Sequence, residues 1–326
     1  MRVFILSVIL TLFLTVILGV ISIPLLRKLK AGQTVLKYVE THKEKNGTPT
    51  MGGLFFIIPS IIVFFLLGGS GRIAVVSVAL GLSFLVVGFL DDFIKIRFRQ
   101  NEGLKPYQKI LFQLTISILA GVFCYVNGIT VFYIPFINIT VNLGVFTIIF
   151  VSIIFIAVTN SVNLTDGLDG LSAGVSASYI LSLIALCTVQ LTFFGRIYLR
   201  VEEYHNAILL SCSLLGGILG FLVFNTSKAK VFMGDTGSLS LGGFLGALTV
   251  FTSNAFYMPI LGICFVASSL SVILQVIHFK RTKKRIFLMA PLHHHFQMKG
   301  YTETQISYVY SLITVIMGVV SVIFYF

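Results

Sequence analysis

The chain has 326 residues, 57% of them hydrophobic and only 10% charged, with a mean hydropathy of +1.01. That composition excludes an ordinary soluble domain and implies a membrane protein. The formal net charge of +12 is then read as a basic face beside a membrane, suited to anionic headgroups and phosphorylated substrates, and not as a nucleic-acid surface.

Apolar stretches recur at roughly 3–26, 51–69, 73–90, 110–126, 144–159, 171–190, 207–224, 239–252, 258–277 and 305–326. Most are long enough, at about 1.5 Å per residue, to cross a hydrocarbon core of about 30 Å. An all-α polytopic protein of about ten transmembrane helices is expected, as a single domain over 1–326 with no soluble module. The first stretch is expected to be a retained span and not a signal peptide, because no small-residue cleavage site precedes Pro24. The eighth, short and glycine-rich, rests partly on the need for an alternating path.

The first connection ends in "KEKNGTPTMGG", residues 43–53, whose Gly and Pro predict a turn with close backbone approach. Lys43 and Lys45 can reach a phosphate there, although any cytoplasmic loop would carry lysines. The third stretch runs into "GFLDDFIK", residues 88–95. Adjacent helical residues point about 100° apart, so Asp91 and Asp92 can serve different partners, while Lys95 returns to their face. Two such carboxylates can hold a hard divalent cation, or one can hold it while the other acts as a base. An ion pair between this helix end and Lys95 is the plainer alternative. Residues 127–143, with Asn-Gly, Pro and alternating apolar positions, predict a short external β-hairpin near 129–142.

"NSVNLTDGLDGLSAG", residues 160–174, spaces Asn160, Asn163, Asp166 and Asp169 every three residues, and Gly167 and Gly170 interrupt the helix that would align them. A broken helix lining a polar cavity is expected, since irregular backbone at membrane depth must face protein or water. In "VFMGDTGSLSLGG", residues 231–243, Gly234, Gly237, Thr236 and Ser238 frame Asp235 at a helix start. Such a terminus favours a phosphate, which the carboxylate can share through a metal; an ordinary N-cap explains the same residues. "APLHHHFQMKG", residues 290–300, groups His293, His294 and His295. Without Cys or HExxH partners they suit hydrogen bonds to phosphate or sugar oxygens better than zinc.

Lys and Arg give the sidedness. Nineteen of the 23 fall on one set of alternate loops, leaving Arg2, Arg72, Arg196 and Arg200 with the termini, which are therefore expected outside. All five aspartates, Asp91, Asp92, Asp166, Asp169 and Asp235, lie in or beside the basic, cytoplasmic loops, and they are expected to converge in a single acidic site beneath a basic rim. Oxygen ligands, glycine-flanked helix starts and clustered lysines point to Mg²⁺ with phosphates. Cys124, Cys187, Cys212 and Cys264 stand singly in apolar runs and form no disulfide framework.

Taken together, "GTPTMGG", "GFLDDFIK", "NLTDGLDGL", "FMGDTGSLSLGG" and "PLHHHF" resemble the phospho-N-acetylmuramoyl-pentapeptide-transferase family, within the polyprenyl-phosphate N-acetylhexosamine-1-phosphate transferase superfamily. The likeness covers essentially the whole chain. It implies ten transmembrane helices, often a homodimer, in the bacterial cytoplasmic (inner) membrane with the active site facing the cytoplasm. The implied reaction is Mg²⁺-dependent transfer of phospho-MurNAc-pentapeptide from UDP-MurNAc-pentapeptide to undecaprenyl phosphate, giving lipid I and UMP in peptidoglycan synthesis. By the same resemblance Asp235 looks like the metal ligand, with Asp91 or Asp92 as further candidates, and Asp91 and Asp92 look like the catalytic pair. Asn163, Asp166 and Asp169 look like the nucleoside and diphosphate side, with Asn160 in the same motif and Lys45, Thr50, Asn225, Gly234, Ser238 and Gln275 nearby. His293, His294 and His295 look like substrate-contacting residues, His294 being placed with the catalytic group. Lys95 and Lys109 are expected to screen the two anionic reactants from each other. The chain departs from the family at Gln297, where Glu is common, and at Tyr301, where Trp is common. Two alternatives remain: a GlcNAc-1-phosphate transferase using the same lipid, and a cation-coupled transporter. The second predicts mid-span carboxylates and internal symmetry, and the sequence has neither.

Overall fold

The computed structural model describes residues 1–28, 47–98, 102–137, 139–193 and 200–325. Lys30, Lys37, Lys43, Lys45, Arg99 and Arg196 lie outside them. The order is α1 (Arg2–Lys28), α2 (Leu54–Leu66), α3 (Arg72–Phe98), α4 (Pro106–Val126), β1 (Val131–Ile134), β2 (Ile139–Asn142), α5 (Thr147–Thr165), α6 (Leu171–Phe193) and α7 (Val201–Asn225). It continues with α8 (Gly234–Phe251), α9 (Met258–Leu261), α10 (Ile263–Thr282), α11 (Leu292–Met298) and α12 (Glu303–Ile323). Among the described residues eight helices, α1, α3, α4, α5, α6, α7, α10 and α12, are long and apolar enough to cross a membrane. The protein is an integral, predominantly helical membrane protein, with one antiparallel hairpin among the described residues, in which Val131 pairs with Asn142 and Ile134 with Ile139.

The other two expected spans have physical reasons to differ. α2 has 13 residues, about 20 Å of helix, which is too short alone for a core of about 30 Å. α8 has 18 residues and every one except Asp235 is buried. It packs against α3 and α5, and it faces protein all round. Its glycines follow from that position. A side chain on Gly242 would run into the backbone of Thr159 on α5, and one on Gly243 into the ring of Phe84 on α3. Small residues let helices approach where no lipid intervenes. α1 shows the same logic as a stripe: Ser7, Thr11, Thr15 and Gly19, four residues apart, are buried, and α1 packs on α7 at Gly216 and Gly220.

Three boundaries differ from expectation. α3 continues to Phe98, so Asp91 and Asp92 sit inside a helix and not at its end. The expected ninth span is broken at Gly262 into α9 and α10, where Pro259 starts the short piece, and α10 runs on to Thr282. The histidine segment forms the short helix α11 instead of an open loop. The break in the Asn-Asp motif does occur, after Thr165, and leaves Asp166–Gly170 as a turn between α5 and α6.

Helix ends are tied across the bundle by side chains. The Glu203 carboxylate on α7 accepts from the Arg72 and Ile73 N–H groups at 3.1 and 3.0 Å, satisfying free donors at the start of α3. Thr302 caps α12 by accepting from the Gln305 N–H at 3.2 Å.

Candidate active site

Asp91, Asp92 and Asp235 each present a carboxylate oxygen, and these lie within 4.8 Å of one another. Consecutive residues on α3 reach one centre because the start of α8 lies across that helix. Gly88, one turn earlier, lies directly against the Asp235 carbonyl and the Thr236 Cα. Gly234 turns the chain into α8 with φ +74°, a left-handed conformation that glycine takes without steric cost.

Each carboxylate is held differently. Asp92 Oδ2 accepts from the Thr236 N–H at 2.9 Å and from its hydroxyl at 2.7 Å. Asp92 Oδ1 is buried without a partner, as is Thr50 Oγ1, and both residues border Gly234. Asp91 Oδ1 accepts from the Leu104 N–H at 2.9 Å, and its Oδ2 lies 2.5 Å from Lys95 Nζ. Asp235 Oδ2 takes both lysines, Lys95 at 3.1 Å and Lys109 at 2.9 Å. Asp235 Oδ1 accepts from Asn163 Nδ2 at 2.7 Å, and Asn163 also donates to Ser238 Oγ at 2.9 Å. Lys95, expected to share a face with the paired acids, thus bridges α3 to α8, and Lys109 adds α4.

This donor set fits a hard divalent cation. The clustered groups are all carboxylate oxygens, and one of them, Asp92 Oδ1, is an orphan whose burial is costly unless something binds it.

The second group of residues converges on the turn after α5. Asp166 is half-buried and has no ion-pair partner among the described residues. Burial, together with the carboxylates of Asp235, Asp92 and Asp169, pushes its pKa well above the usual range. A side chain at Gly167 would meet His293 Nε2 and His294 Nε2, so the α11 imidazoles rest on this turn. His294 Nδ1 lies 3.0 Å from Gln297 Oε1, and His295 Nδ1 accepts from the Leu288 N–H at 3.1 Å. The His293 ring is fully buried and neither nitrogen has a partner.

Burial, and then the neighbouring His294, push the His293 pKa down to about 3. Its unfolded value is about 6.5, so the unfolded chain takes up a proton first. The stabilisation by neutral His293 is complete above about pH 6.5 and is lost as pH falls toward 3. In detergent, the thermal midpoint of the wild type should therefore fall between pH 7.5 and 5 more steeply than that of His293→Gln. Parallel curves would contradict this. Asp166, with a raised pKa, acts in the opposite direction in both proteins and cancels in the comparison.

Other expected site residues have structural partners. Asp169 Oδ2 accepts from the Ala229 N–H at 3.0 Å, and Asn225 holds the Gly170 N–H and the Val231 carbonyl. Both tie the loop after α7 to the turn after α5. Asp169 is therefore one shell back from the carboxylate cluster that all five aspartates were expected to form. Asn160 donates to Gln113 and to the Ile156 carbonyl, joining α5 to α4. Gln275 binds the backbone of Ile286 and Phe287 and lines a separate cavity of about 740 Å³ with Lys280, Arg285, Leu288 and Met298. Lys45 lies outside the described residues.

Several contributors carry little signal in the sequence. Thr236 fixes Asp92, and Gly103 lets the chain approach the Asp91 carboxylate closely enough for the Leu104 N–H to reach it. Glu303 accepts from the Asp169 N–H at 2.8 Å. Of these, only Thr236 stands in a motif that the sequence singles out, the glycine-framed run around Asp235.

Residues 73–253, which span α3 to α8 and contain all three clustered carboxylates, match the glycosyl transferase family 4 profile. A helical membrane protein with this match is a membrane-embedded transferase. Residues 45–57 match phospho-N-acetylmuramoyl-pentapeptide-transferase signature 1. Proteins named phospho-N-acetylmuramoyl-pentapeptide-transferase are similar over nearly the full length. The one from Clostridium novyi (strain NT) is 42% identical, covering 97% of this chain and 95% of its own. That from Clostridium botulinum (strain Alaska E43 / Type E3) is 40% identical over 95% and 92%. That from Desulfitobacterium hafniense (strain DSM 10664 / DCB-2) is 40% identical over 97% and 96%. The chain belongs to the phospho-N-acetylmuramoyl-pentapeptide-transferase family.

Proposed function

We propose that this chain transfers phospho-MurNAc-pentapeptide from UDP-MurNAc-pentapeptide to undecaprenyl phosphate, forming lipid I and releasing UMP. It acts as one membrane-embedded unit, 1–326, in the bacterial cytoplasmic membrane. The site faces the cytoplasm, the termini lie outside, α2 and α8 complete a ten-helix crossing, and the working form is a homodimer. The observation that carries the reading is the meeting of Asp91, Asp92 and Asp235 with Lys95, Lys109 and Asn163 at one point between α3, α4, α5 and α8.

Asp235, with Asp91 or Asp92, would hold Mg²⁺, whose chemistry here is to neutralise charge on the diphosphate oxygens. The residues of the chain perform the rest. Lys95 and Lys109 turn from Asp235 to phosphate oxygens, which lets two anionic reactants approach. The lipid phosphate has a second pKa of about 6 and is largely dianionic at neutral pH, so it needs little help from a base. One of its oxygens attacks the sugar-bearing phosphorus in line, and the bond from that phosphorus to the UMP oxygen breaks. Asp91 then serves mainly to orient Lys95. Asp92, fixed on one oxygen by Thr236, keeps its other oxygen free for the cation. The turn bearing Asp166 and the histidines of α11 contact the sugar nucleotide.

Purified protein given UDP-MurNAc-pentapeptide, undecaprenyl phosphate and Mg²⁺ should release UMP, and chelation should stop it. Release from UDP-GlcNAc instead would assign the related sugar transfer. Lys109→Met should lower the rate about 10²-fold, and Lys109→Arg should restore part of it. Equal rates for Met and wild type would remove Lys109 from the reacting centre.

A further inference from the structure

We infer that the β1–β2 hairpin is a lipid-contact element, whose tip and outer strand lie in the headgroup zone of the bilayer and not in bulk water. The chain carries no charged residue between Lys109 and Asp166, a stretch that includes the whole connection from α4 to α5. An aqueous loop of this length ordinarily presents charge. Here Phe136, Ile137, Ile139, Val145 and Phe146 are instead between 51% and 68% exposed.

The two strands of the hairpin divide cleanly. The inner strand β1 is anchored on both faces: Phe132 packs on Phe150 with centroids 5.3 Å apart, and Tyr133, pointing to the opposite side, lies against Tyr257 and Tyr325 at 6.1 and 5.9 Å. The outer strand β2 is largely exposed among the described residues, and with the tip it continues the apolar surface of two spanning helices. Phe146 begins a stripe with Ile149 and Ile153, at i+3 and i+7 on the exposed face of α5. At the tip, the Phe136 ring meets Phe324 just beyond α12, at 4.9 Å and 64°, and α12 exposes Ile316, Val319 and Ile323. The hairpin therefore joins the lipid-facing surfaces of α5 and α12.

The tip adds an independent sign. Phe136 has φ +72°, a conformation that glycine or asparagine adopts cheaply in hairpin turns and a bulky residue does not. A phenylalanine held there and left half-exposed is explained by an apolar surrounding. A two-stranded ribbon has unpaired edges, which exclude it from the hydrocarbon core and suit the interface, where water still reaches backbone groups.

The chain contains no tryptophan, so Phe136→Trp and Ile139→Trp each provide a single reporter. The variants are reconstituted into phosphatidylcholine vesicles, with brominated acyl chains as the lipid quencher and iodide on both sides as the aqueous one. Ile316→Trp in α12 sets the embedded limit and free tryptophan amide the aqueous limit. Expected are blue-shifted emission, loss of intensity in brominated vesicles, and iodide sensitivity well below that of the free amide. Emission quenched by iodide and unaffected by bromine would place the hairpin in water and overturn the inference. Protection from both quenchers would mean a protein partner or a second copy, and would overturn it equally. The two reporters occupy different positions, the tip and the outer strand, so a folding defect in one leaves the other to decide.

Discussion

Asp235→Asn should lower UMP release by about a thousand-fold or more while leaving the bundle assembled. The amide keeps the shape and can still bond Asn163, but it removes the anion that Lys95 and Lys109 share at 3.1 and 2.9 Å. Lys95 retains Asp91, whereas Lys109 has no other anion among the described residues. The carboxylate cluster also drops to two members, too few to hold a hard cation firmly against water. Turnover within about tenfold of wild type, with a monodisperse protein in detergent, would move the metal to other ligands.

Gly88→Ala should be nearly as damaging, although residue 88 bears no functional group. The added methyl would enter the space of the Asp235 carbonyl and the Thr236 Cα, which are backbone atoms and cannot rotate away. α8 must then back off from α3, taking the Thr236 donors away from Asp92. Overpacking of this kind costs about 1–3 kcal/mol, and misplacing a reacting group by about 1 Å costs about 10²-fold in rate. Gly81→Ala is the comparison. Its methyl would meet the Phe244 ring, a side chain, so stability should fall while the activity of the folded fraction survives. Equal activity losses in the two variants would show that the α3–α8 spacing at residue 88 has no special role.

Rarity made much of the site visible in the sequence. Five aspartates in so apolar a chain stand out because a carboxylate near a membrane must be paired or used. Three of them meet as expected. Asp169 illustrates the limit, because its spacing matched that of Asp166 while its carboxylate faces the Ala229 N–H. Which way a carboxylate turns depends on a loop some sixty positions away, and three-residue spacing contains no information about that. Gly88 and Gly103 stayed silent for a related reason: a glycine advertises freedom of backbone, not which surface will press against it. The hairpin was legible because its turn chemistry and alternation are local. The extension of α3 to Phe98 was not, since Asp91, Asp92 and Lys95 end an apolar pattern without ending a helix.

The encased helix α8 has a bearing on how the protein is made. It falls short of the hydropathy shared by the eight self-sufficient spans, so lipid alone is a poor destination for it during synthesis. Its principal neighbours α3 and α5 both precede it along the chain and emerge from the ribosome first. The catalytic carboxylate at its head thus reaches its place by docking into a slot that earlier helices have already built, and a defect in those helices would be felt first as failed biogenesis.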